Sequence, residues 1–338
     1  MTLELPVLRL GLAGFSAEQQ SAIGRMLTLS AGEANTWEIA EVDAADALWV
    51  NGARTQVVAT DRIRVAPGVP NGRSLQFDMA DLDRPVAFAQ PLPSDFQPLC
   101  SFDAAVHASM VQALRQFETW LSPVIAQFSL ASHVAEHQSA LGSGKFELNL
   151  NSELLAVVDM HGDAAVRSTA RPDDFDAGAM WERSAATDVP ENFVRASLSH
   201  LMWQYASRTQ RDMLPRHYRK GLLYFRRPPR LPQNSVKDSH LLLMRELMLQ
   251  PATFVDLQQR CGMDDERMAR ELAALYLVGS ITSNAKRAAP SVQRHPEADS
   301  SLPNSHLNLD SIVPSELPPE RRPAQSDLTA PAALRPDH

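Results

Sequence analysis

Between Arg208 and Arg230 the chain gathers eight cationic side chains, Arg208, Arg211, Arg216, Arg219, Lys220, Arg226, Arg227 and Arg230, against one acid, Asp212, a local balance of +7. The planar guanidinium fork suits two-point contacts with phosphate or carboxylate and stacks on flat rings. Tyr218, Tyr224 and Phe225 are interleaved with these arginines, so a surface for a nucleotide or an acidic peptide is chemically reasonable. Pro228, Pro229 and Pro232 fix φ and hold the segment extended, which presents Arg226, Arg227 and Arg230 with little orientational freedom. The competing expectation is structural: GLLYF is a core segment whose flanking arginines pair with acids such as Asp173, Asp174 and Asp176.

A second set lies in LASHVAEHQ, where His133, Glu136 and His137 spell H-x-x-E-H. On a helix this spacing puts two imidazoles on one face, as zinc peptidases require. A further acidic ligand should follow, yet Glu182 and Glu191 sit in no recognisable motif, and the Ala/Ser-rich surroundings fit a solvated helix end. No metal is therefore expected, and His133 and His137 are the residues that would carry one. GSGK at 142–145 lacks the earlier glycine of a phosphate loop and runs into FELNL, a strand pattern where a helix N-terminus is needed. The sequence contains no GxSxG, GxGxxG or CxxC motif. No catalytic residue and no cofactor is assigned, and the protein is expected not to be an enzyme.

These residues sit in a chain of 338 residues with a net charge of −8 and 44% hydrophobic residues. The length suits two or three domains. The overall acidity disfavours nucleic acid as partner of the whole molecule, while a local basic patch can still bind an anion. The two cysteines, Cys100 and Cys261, are solitary, which fits a reducing cytoplasm. MTLELPVLRLGLAGF is broken early by glycine and reads as a strand rather than a signal peptide. With no apolar run approaching the roughly 18–20 residues of a membrane span, no membrane partner is expected.

Four regions follow from patterning. In residues 1–98, PVLRLGLAGF, a helix opened by Ser16, then WEIAEV, ADALWVNGA, RIRVAPG and RPVAFAQPLP suggest an open α/β sheet. Residues 99–234 read as an α+β domain: a helical run capped by Asp103 and split at Pro123, a strand meander turning at HGD, a helix over PENFVRASLSHLMWQYASR, and the basic segment. Residues 238–284 predict three helices, with Asp238, Thr253 and Asp264 as N-caps, and a short strand, SITS. From 285 to 338 the Pro/Ser/Ala-rich composition without aromatics predicts a disordered tail, in which LNLDSIVPSEL is an apolar island.

Two resemblances give these regions a context. The first resembles a degenerate response-regulator receiver. The family's acidic pair after the first strand falls on Leu12-Ala13-Gly14, its phosphoacceptor Asp on Asn51, and its Lys-Pro after the fifth strand on Gln90-Pro91. Each departure removes a charge that phosphoryl transfer needs, so the resemblance implies a pseudo-receiver that takes no phosphate. The third region is similar to winged-helix domains in the spacing of Leu257, Gly262, Leu272, Leu275, Gly279 and Ile281. That would imply DNA binding, but four basic residues face seven acids between Asp238 and Ile281, and the would-be recognition helix opens with Asp264-Asp265-Glu266.

The expectation is a non-enzymatic bacterial cytoplasmic signalling adaptor or regulator that acts through protein partners. The basic segment would bind an anion or an acidic partner, with a cyclic dinucleotide as the specific candidate. A DNA-binding transcription regulator is the alternative, and a zinc peptidase a distant one.

Overall fold

A computed structural model describes residues 4–30, 35–59, 61–93, 96–184, 188–232 and 235–290. Residues 1–293 form one compact unit. The expected disordered tail lies, from residue 291 onward, outside the described residues. Its first residues are ordered, contrary to expectation: Ala285–Arg287 form a 3-10 turn and the Ala289 N–H donates to the Phe225 carbonyl.

The chain begins with β1 (Val7–Ala13), α1 (Ala17–Ser30), β2 (Thr36–Ala40) and β3 (Ala47–Asn51). It continues through β4 (Thr55–Ala59), β5 (Arg62–Val65), β6 (Leu75–Asp78), β7 (Val86–Ala89) and β8 (Ser101–Phe102). Five of these strands make an all-parallel sheet in the order β2-β1-β3-β7-β8. β3 is central and buried along its whole length, as its continuous apolar run ALWV demands of a strand covered on both faces. Ser16 caps α1, accepting from the Gln19 N–H, while the Gln19 side chain accepts from the Ser16 N–H.

One face of this sheet carries Leu10, Trp37, Trp49 and Phe102 and packs against α1 and α2 (His107–Trp120). The other face carries Leu48, Val50 and Phe88 and packs against Ile63, Val65 and Phe77. Those three come from an antiparallel sheet, β4-β5-β6, inserted between β3 and β7. The sequence reading found β5 but not its neighbours, because Thr55–Ala59 and Leu75–Asp78 are short and half exposed. β8 and α2 belong to this layer, across the boundary expected at residue 98.

The inserted sheet brings Gly68 hard against the turn after β1. A Cβ on Gly68 would lie 1.9 Å from the Phe15 carbonyl oxygen. Gly68→Ala is therefore expected to lower stability by about 1–3 kcal/mol through overpacking. Gly24→Ala, in mid-α1 with its nearest neighbour 3.5 Å away, should raise it by about 0.5–1 kcal/mol. Urea midpoints of the two variants moving in the same direction would contradict this packing.

α2 ends at Trp120 and α3 (Ser122–Leu141) starts with Pro123 in its first turn, so the proline splits the helical run as expected. Asp103 does not cap α2: the N-cap is Val106, and the Asp103 carboxylate accepts from Ala105 in the preceding turn. A five-stranded antiparallel sheet follows, in the order β12-β9-β10-β11-β13. Its strands are β9 (Lys145–Leu150), β10 (Glu153–Asp159), β11 (Asp163–Arg167), β12 (Met180–Arg183) and β13 (Phe193–Ser197), with α4 (Pro172–Asp176) before β12. PENFVRASLSHLMWQYASR is thus not one helix. Its first half pairs with β11 as β13, and α5 (Leu198–Arg208) begins at the Ser197 cap.

The remaining elements are α6 (Arg216–Lys220), β14 (Leu222–Phe225), α7 (Asp238–Leu249), β15 (Ala252–Thr253), α8 (Phe254–Cys261), α9 (Asp265–Leu277) and β16 (Ile281–Thr282). β14 pairs with both β15 and β16, so the basic segment belongs structurally with the three C-terminal helices rather than ending the region before them. Thr253 and Asp264 cap α8 and α9 as expected, whereas Asp238 is the first helical residue of α7, which Lys237 precedes as N-cap. α5 serves two cores. Leu201, Met202 and Tyr205 pack with the antiparallel sheet and α3, while Trp203 and Ala206 pack with Met268, Leu272 and their neighbours on α9.

Candidate functional site

The basic segment divides into two populations. Three arginines are consumed by structure. Arg208 is buried and clasps Asp46 with both terminal nitrogens, at 2.5 and 2.7 Å. Arg211 pairs with Glu4 at 3.1 Å and also holds Glu136. Arg219 bridges Asp212 at 2.8 Å and Asp265 at 3.1 Å, and lies over the Phe254 ring. The expected structural network therefore exists, but through these acids and not through Asp173, Asp174 or Asp176. These three arginines, expected at the anion site, are instead each engaged by carboxylates of the protein itself.

Arg226, Arg227 and Arg230 behave differently. All three line one cleft of about 600 Å³, together with Arg287 and Tyr218. Among the described residues none of these four arginines forms a salt bridge. Arg226 and Arg227 follow β14, and both of their backbone N–H groups donate to the Ser280 carbonyl, at 2.9 and 3.4 Å. The two guanidinium groups then lie against Gly279, whose φ is +70°. A Cβ there would sit 3.3 Å from Arg227 Nη2 and 3.4 Å from Arg226 Nη1. A glycine is needed at this left-handed position, and its bare backbone admits two like charges side by side. Neighbouring cations without a carboxylate repel each other, and an anion between them relieves that.

The same cleft is also lined by the HGD turn. His161, Gly162 and Asp163 line the cleft, as do Ser197, Leu198 and Ser199 at the start of α5. The Leu198 N–H donates to the Gly162 carbonyl, which fixes the helix start to the turn, and the positive end of the α5 dipole favours an anion here. Asp163 is the one carboxylate among the described lining residues, against a count of four arginines. Tyr218 is buried and meets Tyr276 edge to face at 4.9 Å. Burial pushes the Tyr218 phenol up, with Tyr276 reinforcing the effect, so it stays a neutral hydrogen-bonding group at ordinary pH.

Tyr224, expected at the site, is half-buried on β14 and paired with Thr282, outside the cleft lining. Arg216 opens α6 as an exposed residue, also outside it. Sequence reasoning missed Arg287, because it fell in the stretch read as tail, and Tyr276, because it fell on the core helix α9. It identified HGD only as a turn. A signal for these missed residues existed in Ser197, an N-cap residue type just before a helical apolar pattern.

Of the receiver-like positions, Asn51 is buried and Gln90 is exposed. Asn51 ends β3, with its amide donating to the Gly14 carbonyl and its oxygen accepting from Ala53. Gly14 faces the inserted sheet, and a Cβ on it would lie 2.8 Å from Val65. Gln90, expected after a fifth strand, instead follows β7, the fourth strand of the parallel sheet in chain order; the Gln90–Pro91 bond is cis.

His133 and His137 lie on α3 as the spacing predicted. His133 is buried between Trp181, stacked at 5.5 Å, and Phe175. Burial, helped by nearby His137, pushes its pKa down to about 4. Glu136 is held by Arg211. The cavity beside His133 and Glu136 is about 20 Å³, smaller than a bound peptide needs. Among the described residues no helix is long and apolar enough to cross a membrane. No protein-family model, curated protein or solved structure matches the chain.

Proposed function

We propose that this protein is a non-enzymatic, phosphorylation-independent cytoplasmic signalling adaptor or regulator, and that its ligand is a small phosphate-bearing molecule held in the arginine cleft. The observation that carries this reading is the pair Arg226 and Arg227, side by side over Gly279 with no carboxylate partner, while Arg208, Arg211 and Arg219 nearby are all paired. A chain that neutralises some arginines and leaves others converging on a cleft is arranged for an external anion.

The cleft volume of about 600 Å³ exceeds what inorganic phosphate needs and suits a nucleotide-sized ligand. Four guanidinium groups serve phosphates, and Tyr276, His161 and Asp163 are available to a base or sugar. A cyclic dinucleotide meets these demands, having two phosphates flanked by purines. RHYRK is not a complete motif for such ligands, and its Arg219 is already paired.

The strand order β2-β1-β3-β7-β8 supports the receiver-like reading, since 2-1-3-4-5 is the order of flavodoxin-like sheets. Here, however, the inserted sheet β4-β5-β6 covers a face that those folds give to helices, and the closed surroundings of Asn51 support independence from phosphorylation. The parallel-sheet layer would then act as a protein-contact platform. The three C-terminal helices with β15 and β16 support the winged-helix-like reading. DNA recognition through α9 is disfavoured, because Ala269 and Ala273 on that helix are buried in the core shared with Trp203 and Ala206 of α5.

Calorimetric titration of the full-length protein with mononucleotides, cyclic dinucleotides and a DNA duplex at low salt tests the proposal. Saturable one-site binding of a nucleotide that weakens with added salt is expected. Binding of the duplex alone, or of none of them, would reject it.

A further inference from the structure

The H-x-x-E-H cluster plays no part in the anion cleft, yet its side chains are arranged for a ligand of their own. His133, Glu136 and His137 occupy positions i, i+3 and i+4 of α3 and share a face. One ligand atom from each lies within 4.8 Å of the others. The Nε2 atom of buried His133 has no hydrogen-bond partner among the described residues. Buried polar atoms of this kind are usually satisfied, so an orphan calls for an explanation. Trp181 stacks on the His133 ring and Phe175 lies beside it, so the imidazole has little freedom to turn towards another partner.

The other two residues are oriented from outside the cluster. His137 Nδ1 is 2.8 Å from the His133 carbonyl oxygen. As the donor in that bond, Nδ1 carries the proton, which leaves the Nε2 lone pair free, the arrangement metal-binding histidines use. Arg211 holds Oε1 of Glu136, and the second carboxylate oxygen remains for an ion. Asp176, at the end of α4, lines the same small cavity as His133 and Glu136, and that cavity has room for about one water.

We propose that His133, Glu136 and His137 bind one divalent cation of the zinc type, with water or Asp176 completing the coordination. Two imidazoles and a carboxylate match a borderline ion of this kind better than magnesium or calcium, which take oxygen ligands. Tetrahedral zinc needs ligand atoms about 3.4 Å apart, so the three atoms, which lie within 4.8 Å of one another, draw together on binding. The role is structural, pinning successive turns of α3 and, with Asp176 as the fourth ligand, fastening α3 to α4, because a catalytic zinc needs an open position facing a substrate cleft and the cavity here is about 20 Å³.

The test uses the full chain, stripped with a chelator and then titrated with Zn²⁺ by calorimetry and with Co²⁺ by visible absorption. One equivalent should bind, with Co²⁺ giving the intense bands of low-symmetry coordination, and Zn²⁺ should raise the urea midpoint. Removing buried His133 could disturb folding, so the informative variants are His137→Ala and Glu136→Gln. Each should weaken Zn²⁺ binding at least tenfold and abolish the midpoint shift, while the midpoint of the stripped protein stays close to wild type. Uptake of no ion by the wild type overturns the proposal. So does unchanged affinity in His137→Ala, which would assign the ion to histidines elsewhere, such as His295.

Discussion

Replacing Arg226 and Arg227 together by alanine is expected to weaken binding of the phosphate ligand at least a hundredfold while leaving the fold intact. Hydrogen bonds to charged groups contribute about 1.5–3 kcal/mol each, so two guanidinium contacts amount to about two to four decades in affinity. Both side chains are exposed and among the described residues neither has a salt bridge, so the urea midpoint should hardly move. Arg216→Ala, equally exposed but outside the cleft, should bind as wild type does. Screening adds a second signature, because raising ionic strength should weaken wild-type binding more than the residual binding of the double variant. Equal affinity in wild type and double variant would remove the arginine cleft from the account of function.

Arg208→Met should destabilise the protein by about 3–5 kcal/mol, the usual cost of removing one partner of a buried ion pair. Among the described residues, the Asp46 carboxylate would keep only its bond from the Arg9 N–H, at 2.9 Å, and stay almost fully enclosed. The loss arises from the stranded carboxylate more than from the missing attraction, so adding Asp46→Asn to Arg208→Met should recover part of it. Denaturant unfolding of the two variants measures this directly. A loss below about 1 kcal/mol in Arg208→Met, the range of exposed pairs, would mean that the Arg208–Asp46 contact does not act as a buried tie. Ligand binding should survive in Arg208→Met under folding conditions, which distinguishes the two populations of arginine by function.

Much of the architecture was legible from local pattern. Apolar runs located four of the five strands of the parallel sheet, all but the two-residue β8, the caps at Ser16, Thr253 and Asp264 located helix starts, and Pro123 located the break between α2 and α3. Reading failed where pairing partners decide. Phe193–Ser197 alternates only weakly and adjoins a strong helical pattern, and its strand state comes from pairing with β11. Thr55–Ala59 and Leu75–Asp78 are strands because β5 lies between them. The site divides in the same way: its cationic wall was visible in RRPPR, but the HGD turn and the start of α5 reach it from positions more than twenty residues upstream.

The sequence by itself determined that an acidic chain concentrates positive charge in one proline-stiffened segment, because charge and φ restriction are properties of residue type. Which of those charges are available was decided only by the tertiary structure. Asp212 lies within the segment, but Asp46, Glu4, Glu136 and Asp265 are scattered along the chain, and folding brings them to Arg208, Arg211 and Arg219. Gly279, by contrast, places a bare backbone beneath Arg226 and Arg227. Identical side chains thus become either internal ties or a ligand surface according to the long-range neighbours that folding supplies, and spacing along the chain does not encode those neighbours.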